Sequence, residues 1–331
     1  MSRAKRARPF EIGGTTITPG ETRRLEIPVA RLPTHTPLDL VVKVLHGVLE
    51  GPCLWISAAV HGDEINGIEI IRRVVKRLEG RKLRGTLVAV PIVNLFGFLD
   101  QSRYLPDRRD LNRCFPGSTR GSLAARLAHL FMTEIVQRCS HGIDFHTGGG
   151  SRTNLPQIRA DLDDPETLRC ARAFGGRILI HSRTRDGSLR EAASSRGKTA
   201  LLFEGGGPLR FEPSVIQAGV RGTFRVMREL GMIHRKRTAP GTKSKIKTLS
   251  VRKTSWLRAR RAGLLRLEVG LGDKVWKNQL IGAISDALGE SEVEVRAPIT
   301  GLVIGMEQNP VVHIGDAIVH LASSESDGAT A

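Results

Sequence analysis

The sequence predicts an α/β protein, with a largely parallel or mixed sheet flanked by helices, joined to a small all-β unit. Three observations carry this. Between about residues 40 and 231, apolar runs of strand length alternate with segments of helical spacing. A stretch rich in Lys, Arg, Pro and Gly then interrupts the pattern. From Leu264 to Ala322 the runs shorten, and Gly272-Asp273 and Gly315-Asp316 mark recurring turns. The expected boundaries are a basic tail over 1–10, a first domain over 11–234, a basic linker over 235–262, a β domain over 263–323 and a tail over 324–331.

With 331 residues, 40% apolar and 25% charged, the chain has an ordinary globular composition and is long enough for two domains with a sizeable core. Arg3, Lys5, Arg6 and Arg8 are not followed by an apolar stretch, so no secretory signal is expected. Cys53, Cys114, Cys139 and Cys170 show no close paired spacing, which argues against a disulfide framework or a cysteine zinc site and fits a reducing cytoplasm. The net charge of +18 is concentrated: fifteen of the excess positive charges lie in Met1–Phe10 and His234–Gly263, which contain no acid. Such runs read as solvated segments. Trp256, the one Phe, Tyr or Trp in His234–Gly263, is too little for a base-stacking platform, so neither a specific nucleic-acid partner nor a membrane is expected. Homo-oligomerisation is left open.

In order, alternation over 12–48 gives edge and inner strands separated by Pro and Gly turns, and Leu54–Val60 reads as a buried strand. Ile68, Ile71, Val74, Val75 and Leu78 recur at helical spacing, so a helix is expected over Gly67–Leu78. Thr86–Val93 is the next strand, Ser122–Cys139 an amphipathic helix, and a short apolar run ends at His146. Pro165–Phe174 reads as helix, Arg177–His181 as strand, Arg183–Gly187 as loop and Pro213–Gly231 as a closing helix. In such sheets ligands gather at the carboxyl ends of the strands.

The chemistry sits at those ends. His61-Gly62-Asp63-Glu64 offers an imidazole and a carboxylate three residues apart, just after a buried strand. Zinc accepts both donor types, and a catalytic site uses three protein ligands plus an open position, two His and one Glu being a known set. His146, in Ile143-Asp144-Phe145-His146-Thr147-Gly148-Gly149, is the best second histidine. Alone, the His-x-x-Glu spacing mostly marks a loop or a solvated helix end. Its company changes that reading: Arg103-Tyr104, then Asp110-Leu111-Asn112-Arg113-Cys114-Phe115-Pro116-Gly117, then Leu201-Leu202-Phe203-Glu204-Gly205-Gly206. In this order and spacing the chain, over roughly residues 40 to 230, resembles the succinylglutamate desuccinylase and aspartoacylase family, relatives of the zinc carboxypeptidases.

The resemblance implies a zinc-carboxypeptidase-like mixed sheet and one zinc ion per subunit held by His61, Glu64 and His146. It also implies Glu204 as general base, Asn112 and Arg113 as the pair holding a substrate carboxylate, and Arg103 as the group that polarises the scissile carbonyl. Arg103 lies nine residues before Asn112, and Arg108 and Arg109 are the alternatives within that interval. These roles agree with the chemistry: zinc lowers the pKa of water to roughly 7 and polarises a carbonyl, a positioned carboxylate moves the proton, and a guanidinium fork matches a free carboxylate. His35, His46, His129, His141, His181, His234, His313 and His320 read as structural or surface imidazoles.

The C-terminal runs resemble the biotinyl and lipoyl carrier domains, a barrel-sandwich of two small sheets. Such carriers present a lysine at a hairpin tip. The matching position falls on or near Glu290, so no attached cofactor is expected. The expected function is a zinc-dependent amidohydrolase acting on a small carboxylate-bearing N-acyl amino acid. The alternative is a zinc carboxypeptidase trimming a peptide or acidic tail, distinguished by how far the C-terminal unit closes the cleft. A noncatalytic basic binding protein would require His61, Glu64, His146 and Glu204 to coincide by chance.

Overall fold

The computed structural model describes residues 5–182, 186–234 and 248–323. A short hairpin, Phe10–Ile12 (β1) with Thr15–Ile17 (β2), precedes the long strands Thr22–Arg31 (β3), Pro37–His46 (β4) and Leu49–Ala58 (β5). Then follow helix Asn66–Leu78 (α1), strand Arg84–Val90 (β6), helices Leu95–Leu99 (α2) and Leu123–Phe131 (α3), and strands His141–His146 (β7) and Arg152–Ala160 (β8). Pro165–Phe174 (α4), Ile178–His181 (β9), Leu189–Ser194 (α5), Thr199–Gly206 (β10) and Pro213–Glu229 (α6) complete the first part. The C-terminal part contributes Leu249–Val251 (β11), Thr254–Arg258 (β12), Gly263–Leu267 (β13), Lys274–Val275 (β14), Leu280–Ser285 (β15), Glu292–Arg296 (β16), Gly301–Glu307 (β17), Val311–Val312 (β18) and Ala317–Ser323 (β19).

Among the described residues one sheet of thirteen strands runs through the molecule, in the order β12-β19-β17-β8-β10-β7-β5-β6-β4-β3, with β9, β11 and β14 on side branches. β6, β5, β7 and β10 are mutually parallel; β3 and β4 run antiparallel to their neighbours, and β8 is antiparallel to β10 and β17 but parallel to β9. The parallel core is buried on both faces because its connections return as helices. One face packs Ile56, Phe145, Phe203 and their neighbours under α1, α4 and α6, through Ile70, Phe174 and Val220. The other packs Trp55, Val88 and Val90 against α3 and α5, through Phe131, Leu127 and Ala192.

Local sequence explains where the helices begin. Ser122, Asp164 and Ser188 each accept a hydrogen bond from a backbone N–H of the first turn of α3, α4 and α5, satisfying a donor that the helix leaves unpaired. Pro165 follows its cap at the first helical position, and Gly175 ends α4 with φ +67°. The helix expected over Ser122–Cys139 runs as α through Phe131 and closes in a wider π turn over Met132–Val136.

The linker expected over 235–262 is different in part. Residues 235–247 lie outside the described residues, as do residues 183–185 of the expected 183–187 loop. Leu249–Val251, however, pairs in parallel with β9, and Thr254–Arg258 pairs with β19. Basic composition hid two short strands, one with Leu249 and Val251 on alternate positions and one carrying the adjacent Trp256 and Leu257. The C-terminal unit does form two sheets around Val275, Ile284, Val303 and Leu321, one of them β16-β15-β13-β18. The other is continuous with the main sheet, because β17 pairs with β8 at Gly305↔Asn154, Met306↔Thr153 and Glu307↔Arg152. At the β15–β16 hairpin the Asp286 carboxylate accepts backbone N–H groups of Leu288, Glu290 and Ser291, and no lysine stands at that tip. The four cysteines are free thiols, although folding brings Cys53 Sγ within 2.8 Å of Cys139 Sγ.

Phe203 ties the fold to the site, since it alternates with Leu202 and Glu204 on β10. Its ring is buried against Phe145 and Phe174, at centroid distances of 5.9 and 5.3 Å. Phe203→Ala is expected to cost about 3–5 kcal/mol of stability, read from the denaturant midpoint at constant slope.

Candidate metal and substrate site

Parallel strands in register place the candidate residues at one edge. Leu202↔Asp144↔Ser57 and Glu204↔His146 are cross-strand neighbours on β10, β7 and β5, so alternation points these side chains to one face. β5 ends at Ala58, and the chain then turns through Ala59, at φ +51°, into the His61 loop. That loop is pinned by Gly62, whose N–H donates to the Ser102 carbonyl at 3.0 Å. A Cβ on Gly62 would stand 1.9 Å from the Gly97 carbonyl carbon of α2, so only glycine fits this approach.

His61, Glu64 and His146 are buried and converge, with one ligand atom from each within 4.8 Å of the others. His61 Nδ1 lies 2.8 Å from Glu64 Oε1, and His146 Nδ1 lies 2.8 Å from Glu64 Oε2. The outer nitrogens face carboxylates: His61 Nε2 is 3.1 Å from Asp110 Oδ1, and His146 Nε2 is 2.7 Å from Asp144 Oδ2. Asp144 is held in turn by Ser57 Oγ at 2.7 Å. With each Nε2–H donated outward, both Nδ1 lone pairs face inward, the arrangement that carboxylate partners impose on metal-ligating histidines. Two imidazole nitrogens and a carboxylate therefore fit a divalent metal by donor chemistry and by the Asp110 and Asp144 carboxylates that hold the outer imidazole nitrogens.

Charge follows the same geometry. Burial alone would raise the Glu64 carboxyl, but His61 and His146 outweigh it and hold it well below the usual carboxylate range. Burial opposes the charged imidazoles too, yet Glu64 and Asp110 raise His61, while Asp144 and Glu64 raise His146. Asp110 is lowered despite burial, by His61 and Arg103. Protons and a divalent cation thus compete for the same two nitrogens.

Around this centre lies a cavity of about 640 Å³ lined by all seven residues singled out in the sequence: His61, Glu64, Arg103, Asn112, Arg113, His146 and Glu204. Arg103 donates through Nε and Nη2 to Asp110 Oδ2, at 3.1 and 2.8 Å, and its Nη1 is 3.2 Å from His61 Nδ1. Arg108 and Arg109 are exposed and do not line the cavity. Asn112 accepts the Leu189 N–H at Oδ1, which turns its Nδ2 donor to other use, and Arg113 is exposed with Nη1 on the Asn112 carbonyl. Glu204 Oε2 accepts from Asn154 Nδ2 at 2.8 Å and lies 3.2 Å from Arg159 Nη2.

The linear sequence assigns no role to Asp110, Ser57, Asn154, Arg159 or Trp256, all of which line or brace this site. Asp110 opens the Asp110-Leu111-Asn112-Arg113 run, and that position was a usable signal; the others are brought in by register. Trp256, from β12, closes one side of the cavity, stacked on His320 with ring centroids 4.3 Å apart and under the Arg152 guanidinium at 5.6 Å. His46 and His141 hold structural hydrogen bonds, to Thr86 Oγ1 and to Glu166 Oε1.

A family model, the succinylglutamate desuccinylase/aspartoacylase catalytic domain, matches residues 50–230, more than half of the chain. The chain belongs to that family, whose fold is the zinc-carboxypeptidase-like one. Among its relatives is an N-alpha-acetyl-L-2,4-diaminobutyric acid deacetylase of Halomonas elongata, 28% identical over 283 residues, which are 82% of either chain. The solved succinylglutamate desuccinylase/aspartoacylase from Rhodobacter sphaeroides superposes with TM-score 0.80 at 25% identity, covering 92% of this chain and 96% of that one. The product-bound ectoine utilization protein EutE (DoeB) from Ruegeria pomeroyi gives TM-score 0.81 at 23% identity over 92% and 95%, a likeness of fold. No helix among the described residues is long and apolar enough to cross a membrane.

The outward hydrogen bond of His146 can be tested separately from its ligand atom. Asp144→Ala should weaken divalent-metal affinity by about 10- to 100-fold, measured by competitive chelation on folded protein.

Proposed function

We propose that the chain is a zinc-dependent amidohydrolase that cleaves the acyl amide of a small N-acyl amino acid. The observation that carries this is the convergence of His61 Nδ1, Glu64 and His146 Nδ1 in a cavity shared with Glu204 and with the guanidinium groups of Arg103 and Arg113. Bound zinc supplies Lewis acidity, acidifying a water and polarising the scissile carbonyl. The chain's own groups do the rest. Glu204 has Oε2 occupied by Asn154 and Arg159, and its Oε1, which has no hydrogen-bond partner among the described residues, is the atom that takes the water proton and passes it to the leaving amine.

Arg103, fixed in orientation by two hydrogen bonds to Asp110, presents Nη1 beside the metal ligands, where charge develops on the carbonyl oxygen. Arg113 has no acidic partner among the described residues, and together with Asn112 Nδ2 it suits a substrate carboxylate. Trp256 walls the cavity and favours a small substrate over an extended peptide, the alternative read from the sequence. The deacetylase of Halomonas elongata supports the same class of reaction. Free thiols at all four cysteines fit a reducing, cytoplasmic setting.

The test is mass-spectrometric hydrolysis by zinc-loaded protein across N-acetyl, N-succinyl and N-formyl amino acids, N-alpha-acetyl-L-2,4-diaminobutyrate and peptides with free C-termini. Cleavage of small N-acyl amino acids alone is expected; release of C-terminal residues from peptides would replace this reading with a carboxypeptidase. His146→Ala should lose metal and activity together, whereas Glu204→Gln should keep metal and lower kcat by about 10²–10⁴-fold. Arg113→Ala should raise KM by about tenfold or more, because losing one charge-assisted carboxylate contact costs on the order of 1.5–3 kcal/mol. An unchanged KM would remove Arg113 from the clamp.

A further inference from the structure

The cavity's general-base candidate is held by a residue that the first part of the chain does not position alone. Asn154 is buried on β8, and its Nδ2 donates to Glu204 Oε2 at 2.8 Å. Asn154 reaches that face because of an irregularity. β10 pairs with β8 as Glu204↔Gln157 and then Gly206↔Asn154, so two steps along β10 match three along β8. In a regular strand, residues 154 and 157 would point to opposite faces; the extra residue returns the Asn154 side chain to the Glu204 face.

A second irregularity meets it from the other side. β17 pairs with β19 as Val303↔Leu321 and then Gly305↔His320, an extra residue on β17, and Gly305 is paired with Asn154. A Cβ on Gly305 would stand 2.7 Å from Asn154 Oδ1, closer than real Cβ contacts come, and 3.2 Å from His320 Cβ. The amide of Asn154 therefore occupies space that this glycine leaves. The cheapest relief of a larger residue is rotation of Asn154 away from Glu204.

We propose that Asn154 is a positioning residue for Glu204, and that the C-terminal β unit sets its orientation through the glycine at the β17 bulge. Asn154 fixes Oε2, keeping Oε1 directed at the reacting water. Arg159 Nη2, at 3.2 Å, shares the same oxygen and cannot replace the amide's direction, since it approaches from the neighbouring level of the sheet opposite Leu202. The C-terminal unit thereby acts on turnover in addition to walling the cavity. This inference rests on the role proposed for Glu204, and its tests separate the two.

The first test needs neither metal nor substrate. In ¹⁵N-labelled protein, the Asn154 side-chain amide resonances, identified by their loss in Asn154→Leu, should move in Glu204→Gln and again in Gly305→Ala. Resonances indifferent to both changes would overturn the proposal. The second is steady-state kinetics on the fastest-cleaved N-acyl amino acid of the panel above. Asn154→Leu, which keeps side-chain volume without the donor, and Gly305→Ala should each lower kcat by about 10- to 100-fold, with KM within about twofold and zinc content and thermal midpoint unchanged. Wild-type kcat in Asn154→Leu removes Asn154 from this role, and wild-type kcat in Gly305→Ala removes the C-terminal strand. An active Glu204→Gln would instead overturn the general-base reading. A dead Glu204→Gln beside fully active Asn154→Leu and Gly305→Ala would overturn this inference alone.

Discussion

One carboxylate organises the site. Glu64 is buried between two imidazoles, each of its oxygens 2.8 Å from an Nδ1, and the backbone N–H of Thr147 reaches Oε2 at 3.0 Å. A buried ion of this kind is tolerated only when every direction around it is answered. Nδ1–H groups of protonated His61 and His146, or a divalent cation held between them and Glu64, answer it, and the imidazoles are themselves answered by Asp110 and Asp144. The parallel register of β5 and β7, Ser57 opposite Asp144, brings the two halves to the same level. Moving β7 by one residue would send Asp144 and His146 into the apolar layer occupied by Phe145, and the same slip of β5 would turn Ser57 away from Asp144.

That dependence explains how much of the molecule could be read in advance. The helices α1, α4 and α6 were legible because their apolar residues repeat at helical spacing and, for α4 and α6, because a proline stands at the first helical position. The metal-ligand candidates were legible because short runs ending in Gly-rich loops mark strand ends. Local pattern was insufficient for β8: Asn154, Pro156, Gln157 and Arg159 interrupt it with a proline and polar side chains, yet tertiary pairing on both edges makes it a strand. The basic run reads as linker because charge dominates it, although Leu249 and Val251 alternate and the segments Leu249–Val251 and Thr254–Arg258 both find strand partners.

The site divides along the same line. His61, Glu64, Arg103, Asn112, Arg113, His146 and Glu204 all line one cavity. The groups that orient them come from sequence neighbours only at Asp110 and Asp144. Ser57, Asn154 and Arg159 arrive by strand register, and Trp256 by a crossover from the C-terminal unit. No spacing in a linear chain encodes those approaches. They are consequences of which strands lie side by side.

The seam between β8 and β17 bears on how this chain is built as a unit. Along one edge β8 is covered twice, by β17 over Arg152–Asn154 and by β9 over Gln157–Ala160. A protein cut within the basic segment would leave the first of these stretches as a bare row of N–H and C=O groups beside the cavity, a template for pairing with another copy. The two parts are separable in composition and fused in hydrogen bonding. The later part is a lid for a sheet edge as much as a domain, and the three backbone pairings that cover that edge are the same ones that set Gly305 against Asn154.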